Sequence, residues 1–341
     1  MSKTCIKSLT LKQLAGELQA LGEKPYRAKQ IFPWLYRRDV ASFHEMTDIS
    51  QALRETLDKH FSLLRLAVAE TLTSEDGTRK LALRTADGHL IESVLIPEPR
   101  RLTVCLSTQI GCRFGCRFCR TGTMGLIRNL TTGEIVEQFQ AVQRLAGERR
   151  ISNLVLMGMG EPLDNYDNVM GAISIWRDDY GPNLSPRKVT LSTVGLVPQL
   201  DRLGQEIEIS LAISLHAADD ETRNQLVPIN RKYPLQELLD ACRRYPLSPR
   251  RRITFEYALV KGVNDSEADA LKLVNLVKPL RPKINLIACN PFAGSGYEPP
   301  DDATVDHFLQ ILLDHNLTAI VRKPRGRDIL AACGQLAVKR D

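Results

Sequence analysis

The sequence predicts an α/β protein, an open and partial (β/α)6 barrel that follows a small helical domain and a β-hairpin extension. Strand-like and helix-like segments alternate over residues 103–322, which is typical of a parallel sheet. Before them, Asp76-Gly77 and Asp87-Gly88 each separate short apolar segments, the strongest short signal for a hairpin. The N-terminal residues carry leucines at helical spacing.

The helical domain is expected over residues 1–64. After a first leucine-rich helix, residues 22–25 (GEKP) interrupt the pattern, and Tyr26 to Arg38 interleaves basic with aromatic side chains. That segment is either an ordinary amphipathic helix with a solvated basic face or a surface that contacts RNA phosphates. The residues alone favour neither interpretation. The leucines of the first helix are Leu9, Leu11, Leu14, Leu18 and Leu21.

The hairpin extension is expected over residues 65–102, the barrel over 103–323 and a C-terminal tail over 324–341. The strands are too few for a complete eight-unit barrel, so an open partial barrel is expected. Thr131 or Thr132 offers an N-cap for the first barrel helix. Helices are expected at Thr132–Leu145, Leu235–Tyr245 and Ser266–Val277. Strands are expected at Thr103–Ser107, Asn153–Met157, Lys188–Ser192, Glu208–Leu215, Ile253–Leu259, Lys283–Ala288 and Thr318–Arg322.

The composition limits the class of protein. The chain has 341 residues, 43% of them apolar, which is enough for a large domain and a small one. It has no run of about 18 uncharged apolar residues, and its N-terminus lacks the apolar core of a signal peptide. We therefore expect a cytoplasmic protein without a membrane span. Eight cysteines in a chain of this length do not resemble a secreted disulfide scaffold, and the net charge of +6 is compatible with nucleic acid without establishing it.

Cys112, Cys116 and Cys119 form a C-x3-C-x2-C motif on a loop with Gly111 and Gly115. The spacing fits three corners of a [4Fe–4S] cluster and leaves the fourth iron open for a substrate or cofactor. A zinc site with a fourth ligand elsewhere, or three buried free thiols, would fit the same spacing.

The flanking residues resemble a known family. An aromatic residue, Phe118, precedes the last cysteine of the motif. Five further stretches occur in the family's order: GTMGLIRNLTTGEIVEQ at 122–138, LMGMGEPLDNY at 156–166, LAISLH at 211–216, LVPINRKYP at 226–234 and AACGQL at 331–336. Together these resemble the RlmN/Cfr family of radical S-adenosylmethionine (SAM) methyltransferases, over nearly the whole chain. The resemblance implies a TIM-like radical SAM barrel, a [4Fe–4S] cluster on the three cysteines, and SAM.

The resemblance also implies a SAM site at the carboxyl ends of the strands. Without it, each residue has a plainer interpretation, because a G-x-G-E sequence is often only a turn, a lone histidine at a strand end is usually structural, and Asn290 could merely start a turn. The implied SAM-binding residues are Gly160, Glu161, Ser192, Ser214, Leu215, His216 and Asn290.

Three further residues receive catalytic roles by resemblance. Cys333 matches the cysteine that carries the methyl group, Cys105 the cysteine that resolves the covalent intermediate by forming a disulfide with it, and Glu92 the proton acceptor. The resemblance further implies a ping-pong sequence that uses two SAM molecules. By residue type alone, Cys333 could be a small residue of a tail helix and Glu92 a solvent-facing strand residue.

The implied activity is methylation of adenine carbon-2 in 23S rRNA and in tRNA, with carbon-8 as the alternative. The implied partners are these RNAs and an electron donor such as flavodoxin, and a monomer is expected. More distant alternatives are a radical SAM activase for a glycyl radical protein and a zinc-stabilised RNA-binding protein. Expected RNA contacts are Arg120, Arg128, Arg187, Lys188, Arg231, Lys232, Arg250 to Arg252, Arg322, Lys323, Arg325 and Arg327.

Overall fold

The structure is a computed structural model that describes residues 3–337. Three helices form its N-terminal part, and the side chain of Thr10 caps the first of them by accepting from the backbone N–H of Gln13. Leu14 and Leu18 on that helix are completely buried. The helices are α1 (Leu11–Ala20), α2 (Arg27–Tyr36) and α3 (Gln51–His60), and two short parallel strands, β1 (Thr4–Cys5) and β2 (Phe61–Ser62), join the ends of this segment.

Four antiparallel strands follow. As the two Asp-Gly pairs predict, tight turns separate the first three strands, and Gly77 and Gly88 adopt positive φ angles of 80° and 87°. The strands are β3 (Ala67–Thr73), β4 (Arg79–Arg84), β5 (Leu90–Glu98) and β6 (Arg101–Cys105).

Strand β6 also begins the parallel part of the sheet, since its other edge pairs in parallel with the next sheet strand. The remaining parallel strands are β9 (Asn153–Leu156), β10 (Val189–Thr193), β11 (Ser210–Ser214), β12 (Thr254–Leu259), β13 (Lys283–Ala288) and β14 (Thr318–Val321). The intervening helices are α5 (Thr132–Ala146), α6 (Tyr166–Arg177), α7 (Val197–Glu206), α8 (Asp220–Leu226), α9 (Leu235–Arg244), α10 (Glu267–Val277) and α11 (Asp302–Asp314).

The result is one open ten-stranded sheet in the order β14-β13-β12-β11-β10-β9-β6-β5-β4-β3. Six strand–helix units and a seventh parallel strand form its barrel part, which confirms the predicted partial barrel. The hairpin extension is continuous with this sheet through the pairing of β5 with β6. All seven predicted strands exist, within three residues of their predicted bounds, and Thr131 is the N-cap of α5.

A hairpin that the sequence did not reveal lies between β6 and α5. It consists of β7 (Gln109–Cys112) and β8 (Gly125–Asn129), with the short helix α4 (Arg120–Thr123) between them, and it forms a separate two-stranded sheet. The hairpin carries the cysteine motif. It is short and contains little apolar alternation, so periodicity could not indicate it.

A buried ion pair joins the N-terminal part to the barrel. The ammonium group of Lys7 lies 2.6 Å from Oε2 of Glu137 on α5, and both side chains are completely buried. Arg144 and Asp39 extend the network at its edge. Among residues 3–337, no helix combines the length and apolar character that crossing a bilayer requires.

Candidate active site

One cavity, partly open to solvent, lies where the parallel strands end. Such a concave site at the ends of parallel strands is where a small-molecule ligand is expected. Ten of the thirteen predicted site residues line it: Cys112, Cys116, Cys119, Gly160, Glu161, Ser192, Ser214, His216, Asn290 and Cys333. The other three, Glu92, Cys105 and Leu215, lie outside its lining.

The two strands of the cysteine hairpin approach closely at Gly111, where their pairing is irregular. Gly111 has a φ of 77°, and a Cβ at this position would lie 1.8 Å from the carbonyl oxygen of Gly125. Only glycine fits here. Within residues 3–337, no three His, Cys, Asp or Glu side chains surround the position of a single metal ion. Cys112, Cys116 and Cys119 share one cavity wall instead.

Burial controls the protonation of these thiols. It raises the pKa of Cys112 to about 12 and raises the pKa values of Cys116 and Cys119 as well. Thiols in this position are protonated until a metal replaces the proton, so loading of the site releases protons.

Glu161 is a buried carboxyl group on the loop that follows β9. Its oxygens accept from the backbone N–H groups of Leu163 (3.1 Å) and Val194 (2.9 Å), and burial raises its pKa to about 7. Gly160 before it has a φ of 97°, and a Cβ there would lie 2.5 Å from Cβ of Gln109. The backbone at Gly160 therefore requires glycine and comes close to the cysteine hairpin.

Ser192 and Ser214 end neighbouring strands, and their hydroxyl oxygens lie 3.4 Å apart. His216 is neutral, because Nδ1 accepts from the backbone N–H of Ala258 (3.0 Å) and burial lowers its pKa to about 3. Its ring contacts Phe118 of the cysteine loop edge to face, with centroids 4.6 Å apart. Leu215 is completely buried, and its carbonyl oxygen accepts from Nε of Arg223 (3.0 Å).

The tail places Cys333 in the cavity wall. Nδ2 of Asn290 donates to the carbonyl oxygen of Cys333 (3.2 Å), and the N–H of Arg120 donates to the carbonyl oxygen of Gly334 (2.7 Å). The tail forms a turn here and not a helix. The side chain of Cys333 is accessible from the cavity. The surrounding protein still shields the thiol from bulk water, and this burial raises its pKa to about 11.

Cys105 and Glu92 lie beneath the same tail. Cys105 packs with Ala331 and Leu336 of the tail. Burial raises its pKa to about 12, and Cys333 is the nearby group that raises it further. Glu92 is buried, contrary to the solvent-facing alternative, and Oε2 accepts from the N–H of Ala337 (2.8 Å).

All eight cysteines lie among the described residues, and all are free thiols. The expected disulfide between Cys105 and Cys333 is therefore not supported by the structure. The two cysteines are neighbours without a bond between them.

The residues present fit a cluster and SAM. Three thiols occupy one wall of the cavity, which is the donor set that an iron–sulfur cluster uses. Oδ1 of Asn290 is buried and has no hydrogen-bond partner among the described residues, so it can accept from a bound molecule. Glu161 and the serine hydroxyls supply further polar groups on the same wall.

Apart from Arg128, the basic residues expected to contact RNA divide into two groups. Those that follow strand ends lie on the side of the cavity: Arg120, Arg231, Lys232, Arg322, Lys323, Arg325 and Arg327. Those that precede β10 or β12 lie at the opposite end of the barrel: Arg187, Lys188, Arg250, Arg251 and Arg252. The position of the second group, far from the cavity, does not support the prediction that these residues contact RNA.

Arg128 also differs from its expected role. Its guanidinium lies 2.7 Å from the carboxylate of Asp87 in the hairpin extension and 2.8 Å from that of Glu134 on α5. Arg128 therefore bridges the hairpin extension and α5. Such paired donors are no longer free for phosphates.

Sequence reasoning missed three buried charged residues at the site. Arg223 lies on α8, Glu256 lines the cavity from β12, and Lys80 on β4 contacts Glu92. Glu256 interrupts an apolar strand, which is the signal that could have revealed it. Lys80 follows Arg79 at the start of β4, where a lysine is not unusual. Arg223 lies in a polar segment, and its sequence context gives no comparable signal.

Two family models match the chain. The radical SAM superfamily matches residues 106–274, and the N-terminal domain of the ribosomal RNA large subunit methyltransferase matches residues 6–63. The first includes the cysteine hairpin and most of the parallel sheet, and the second corresponds to the helical N-terminal part.

Curated relatives match almost the whole chain. A dual-specificity RNA methyltransferase RlmN of Rhodospirillum rubrum is 52% identical over 96% of this chain and 79% of its own length. The protein of the same description from Desulfosudis oleivorans is 51% identical over 97% of this chain and 90% of its own. A crystal structure of a radical SAM methyltransferase from Sphaerobacter thermophilus superposes with a TM-score of 0.92 at 46% identity, covering 97% of this chain and 98% of that one.

Proposed function

Since the chain belongs to the RlmN family of dual-specificity RNA methyltransferases within the radical SAM superfamily, we propose that it methylates carbon-2 of adenosine in 23S rRNA and in tRNA. In rRNA the target is in the peptidyl transferase centre, and in tRNA it is position 37. One observation carries the proposal. The C-terminal tail brings Cys333 into the wall of the same cavity as the three clustered cysteines and Glu161.

The cavity is proposed to hold two cofactors. Cys112, Cys116 and Cys119 would ligate three irons of a [4Fe–4S] cluster, and Gly160, Glu161, Ser192, Ser214, Leu215, His216 and Asn290 would surround SAM. Bound there, the pair supplies one-electron chemistry and a transferable methyl group, which adenine carbon-2 requires because it is not a nucleophile. Glu161 is suited to accept from an ammonium group, and the neutral His216 presents a ring without charge.

Three residues of the chain are proposed to act on the methyl group and the base. Sγ of Cys333 carries the methyl group. Glu92 accepts the proton that leaves the adenine ring, which its burial and elevated pKa favour. Cys105, packed against the tail, is suited to attack the sulfur of Cys333 and free the product.

The cations on the cavity side are proposed to hold the RNA backbone while a base enters the cavity. The helical N-terminal part, residues 1–64, is proposed as an accessory RNA-binding domain, followed by the hairpin extension at 65–102, the barrel at 103–323 and the tail at 324–341. The protein is proposed to act as a cytoplasmic monomer that receives electrons from a donor such as flavodoxin.

Nucleoside mass spectrometry tests the proposal. Anaerobically reconstituted protein, SAM and a reductant are incubated separately with unmodified 23S rRNA and unmodified tRNA. We expect 2-methyladenosine in both RNAs. Formation of 8-methyladenosine would move the chain to the carbon-8 activity, and SAM cleavage without any methylated adenosine would refute the substrate assignment.

A further inference from the structure

Arg223 is a buried cation without a carboxylate partner. Its residue exposure is 0%, and among the described residues no carboxylate lies within ion-pair distance of its guanidinium. Burial lowers its pKa to about 10, so the guanidinium remains charged at neutral pH. An isolated buried charge is costly, and proteins usually place an anion beside it.

The guanidinium is immobilised by neutral acceptors. Nε donates to the carbonyl oxygen of Leu215 (3.0 Å), Nη1 to Oδ1 of Asn230 (2.8 Å), and Nη2 to the carbonyl oxygens of Val194 (2.8 Å) and Ser214 (3.2 Å). These bonds use three of its nitrogens and leave no open fork for a ligand carboxylate. Arg223 is therefore a fixed positive charge and not a ligand-binding arm.

Three groups near this guanidinium can carry a negative charge, namely Asp220 on the same helix, Cys242, and Cys116 of the cysteine loop, and Cys116 has the largest influence of the three. The cysteine loop is the one that would carry the proposed cluster. Helix α8 packs directly on it, since the side chain of Leu226 contacts Cys116 in one buried cluster and the N–H of Arg117 donates to the carbonyl oxygen of Leu226 (3.0 Å). The guanidinium also donates to the carbonyl oxygens of Val194 and Ser214, and both of these residues line the cavity together with Cys116.

We propose that Arg223 is a positioning residue that supplies the counter-charge for the iron–sulfur cluster and raises its reduction potential. The inference rests on the proposed function, because it requires the cluster on Cys116. Reduction adds an electron to an already anionic assembly of thiolates and iron, so a fixed cation in a low-dielectric site favours the reduced state. The residue acts through its field and needs no contact with SAM or RNA.

Redox titration of the reconstituted cluster, monitored by electron paramagnetic resonance without SAM or RNA, tests this inference. Arg223→Gln keeps hydrogen-bonding capacity and removes the charge, whereas Arg223→Lys keeps the charge and loses most of the bonds. We expect a more negative potential for Arg223→Gln and a value near wild type for Arg223→Lys. Arg202→Gln, which removes an exposed arginine paired with Glu206 on α7, is the matched control and should leave the potential unchanged.

The outcomes distinguish an electrostatic role of the Arg223 charge from a purely structural role of its hydrogen bonds. Loss of iron from a folded Arg223→Gln protein, with iron retained in Arg223→Lys, also supports the counter-charge. An unchanged potential in Arg223→Gln, an equal shift in both variants, or loss of the cluster or of folding in both would overturn it. If the wild-type protein holds no cluster, the proposed function fails. If the cluster forms and its reduction potential is the same in wild type and Arg223→Gln, only this inference fails.

Discussion

The ammonium group of Lys80 lies 3.0 Å from Oε1 of Glu92, and both side chains are nearly excluded from solvent. The pair lies between two neighbouring strands and the C-terminal tail. Nζ of Lys80 also donates to the carbonyl oxygen of Leu330 (3.2 Å), and Glu92 accepts from the N–H of Ala337. The segment that carries Cys333 is thus held on both sides by one buried ion pair. The pair therefore anchors the tail on both sides of the proposed methyl carrier, through Leu330 and Ala337.

Replacing Lys80 by Met should move the acid limb of the methylation profile to higher pH. Burial raises the pKa of Glu92, and Lys80 is the neighbouring charge that opposes this most, with Arg120 adding less. Without Lys80 the pKa rises further, so the proton-accepting carboxylate exists only at higher pH. Single-turnover rates of 2-methyladenosine formation across pH measure the shift. Lys80→Arg retains the cation and should resemble wild type, and an unshifted Lys80→Met profile would show that the pair does not tune Glu92.

Replacing Cys105 by Ala should trap an RNA–protein adduct. Without the neighbouring thiol, the intermediate on Cys333 has no sulfur nucleophile beside it. Denaturing gel electrophoresis with labelled RNA detects the adduct. Cys242→Ala, which alters a buried cysteine on α9 outside the cavity, is the control and should accumulate none. Rapid release of methylated RNA by Cys105→Ala would contradict the assigned role.

Replacing Lys7 by Met should destabilise the protein by about 3–5 kcal/mol, the usual cost of removing one partner from a buried ion pair. Glu137 would retain Arg144 but lose its fully buried counter-charge. Urea unfolding followed by circular dichroism measures the loss. Lys12→Met changes an exposed lysine on α1 and should stay within about 0.5 kcal/mol of wild type. Equal stabilities of the two variants would mean that the Lys7 network does not hold the N-terminal part in place.

Replacing Lys323 by Gln should weaken RNA binding and reduce the slope of log K against log salt by about one. Lys323 is exposed and follows β14 on the cavity side. Arg250→Gln removes an equally exposed cation at the opposite end of the barrel and should leave the slope unchanged. Fluorescence anisotropy at several salt concentrations provides both slopes. A larger effect of Arg250→Gln would show that RNA approaches the other end.

Much of the fold follows from local patterns. Apolar strands such as Lys283–Ala288 are short, are bounded by polar residues and have the predicted limits, because both faces of a parallel strand are buried. The Asp-Gly turns are equally local. The hairpin at Gly111 was not predicted, since its shape depends on the close approach of Gly125 and not on a repeating pattern.

Motifs in the sequence predicted most residues of the candidate site. The other contacts join residues that are distant in sequence, so only the folded structure reveals them. The motifs contain the cysteines and Glu161, whose neighbours in sequence are also part of the site. By contrast, the contact between Lys80 and Glu92 joins two strands, and Arg223 lies near Cys116 only because α8 packs on the cysteine loop. The opposite positions of Lys323 and Arg250 likewise depend on strand direction.

The most direct test of the central claim compares Cys333→Ala with Cys242→Ala in the nucleoside assay. Both proteins are reconstituted anaerobically, and their iron content and brown absorption are matched before SAM, reductant and RNA are added. We predict 2-methyladenosine with Cys242→Ala and none with Cys333→Ala. Methylation by a cluster-loaded Cys333→Ala protein would contradict the account, because no other described cysteine is placed by the tail in the cavity wall.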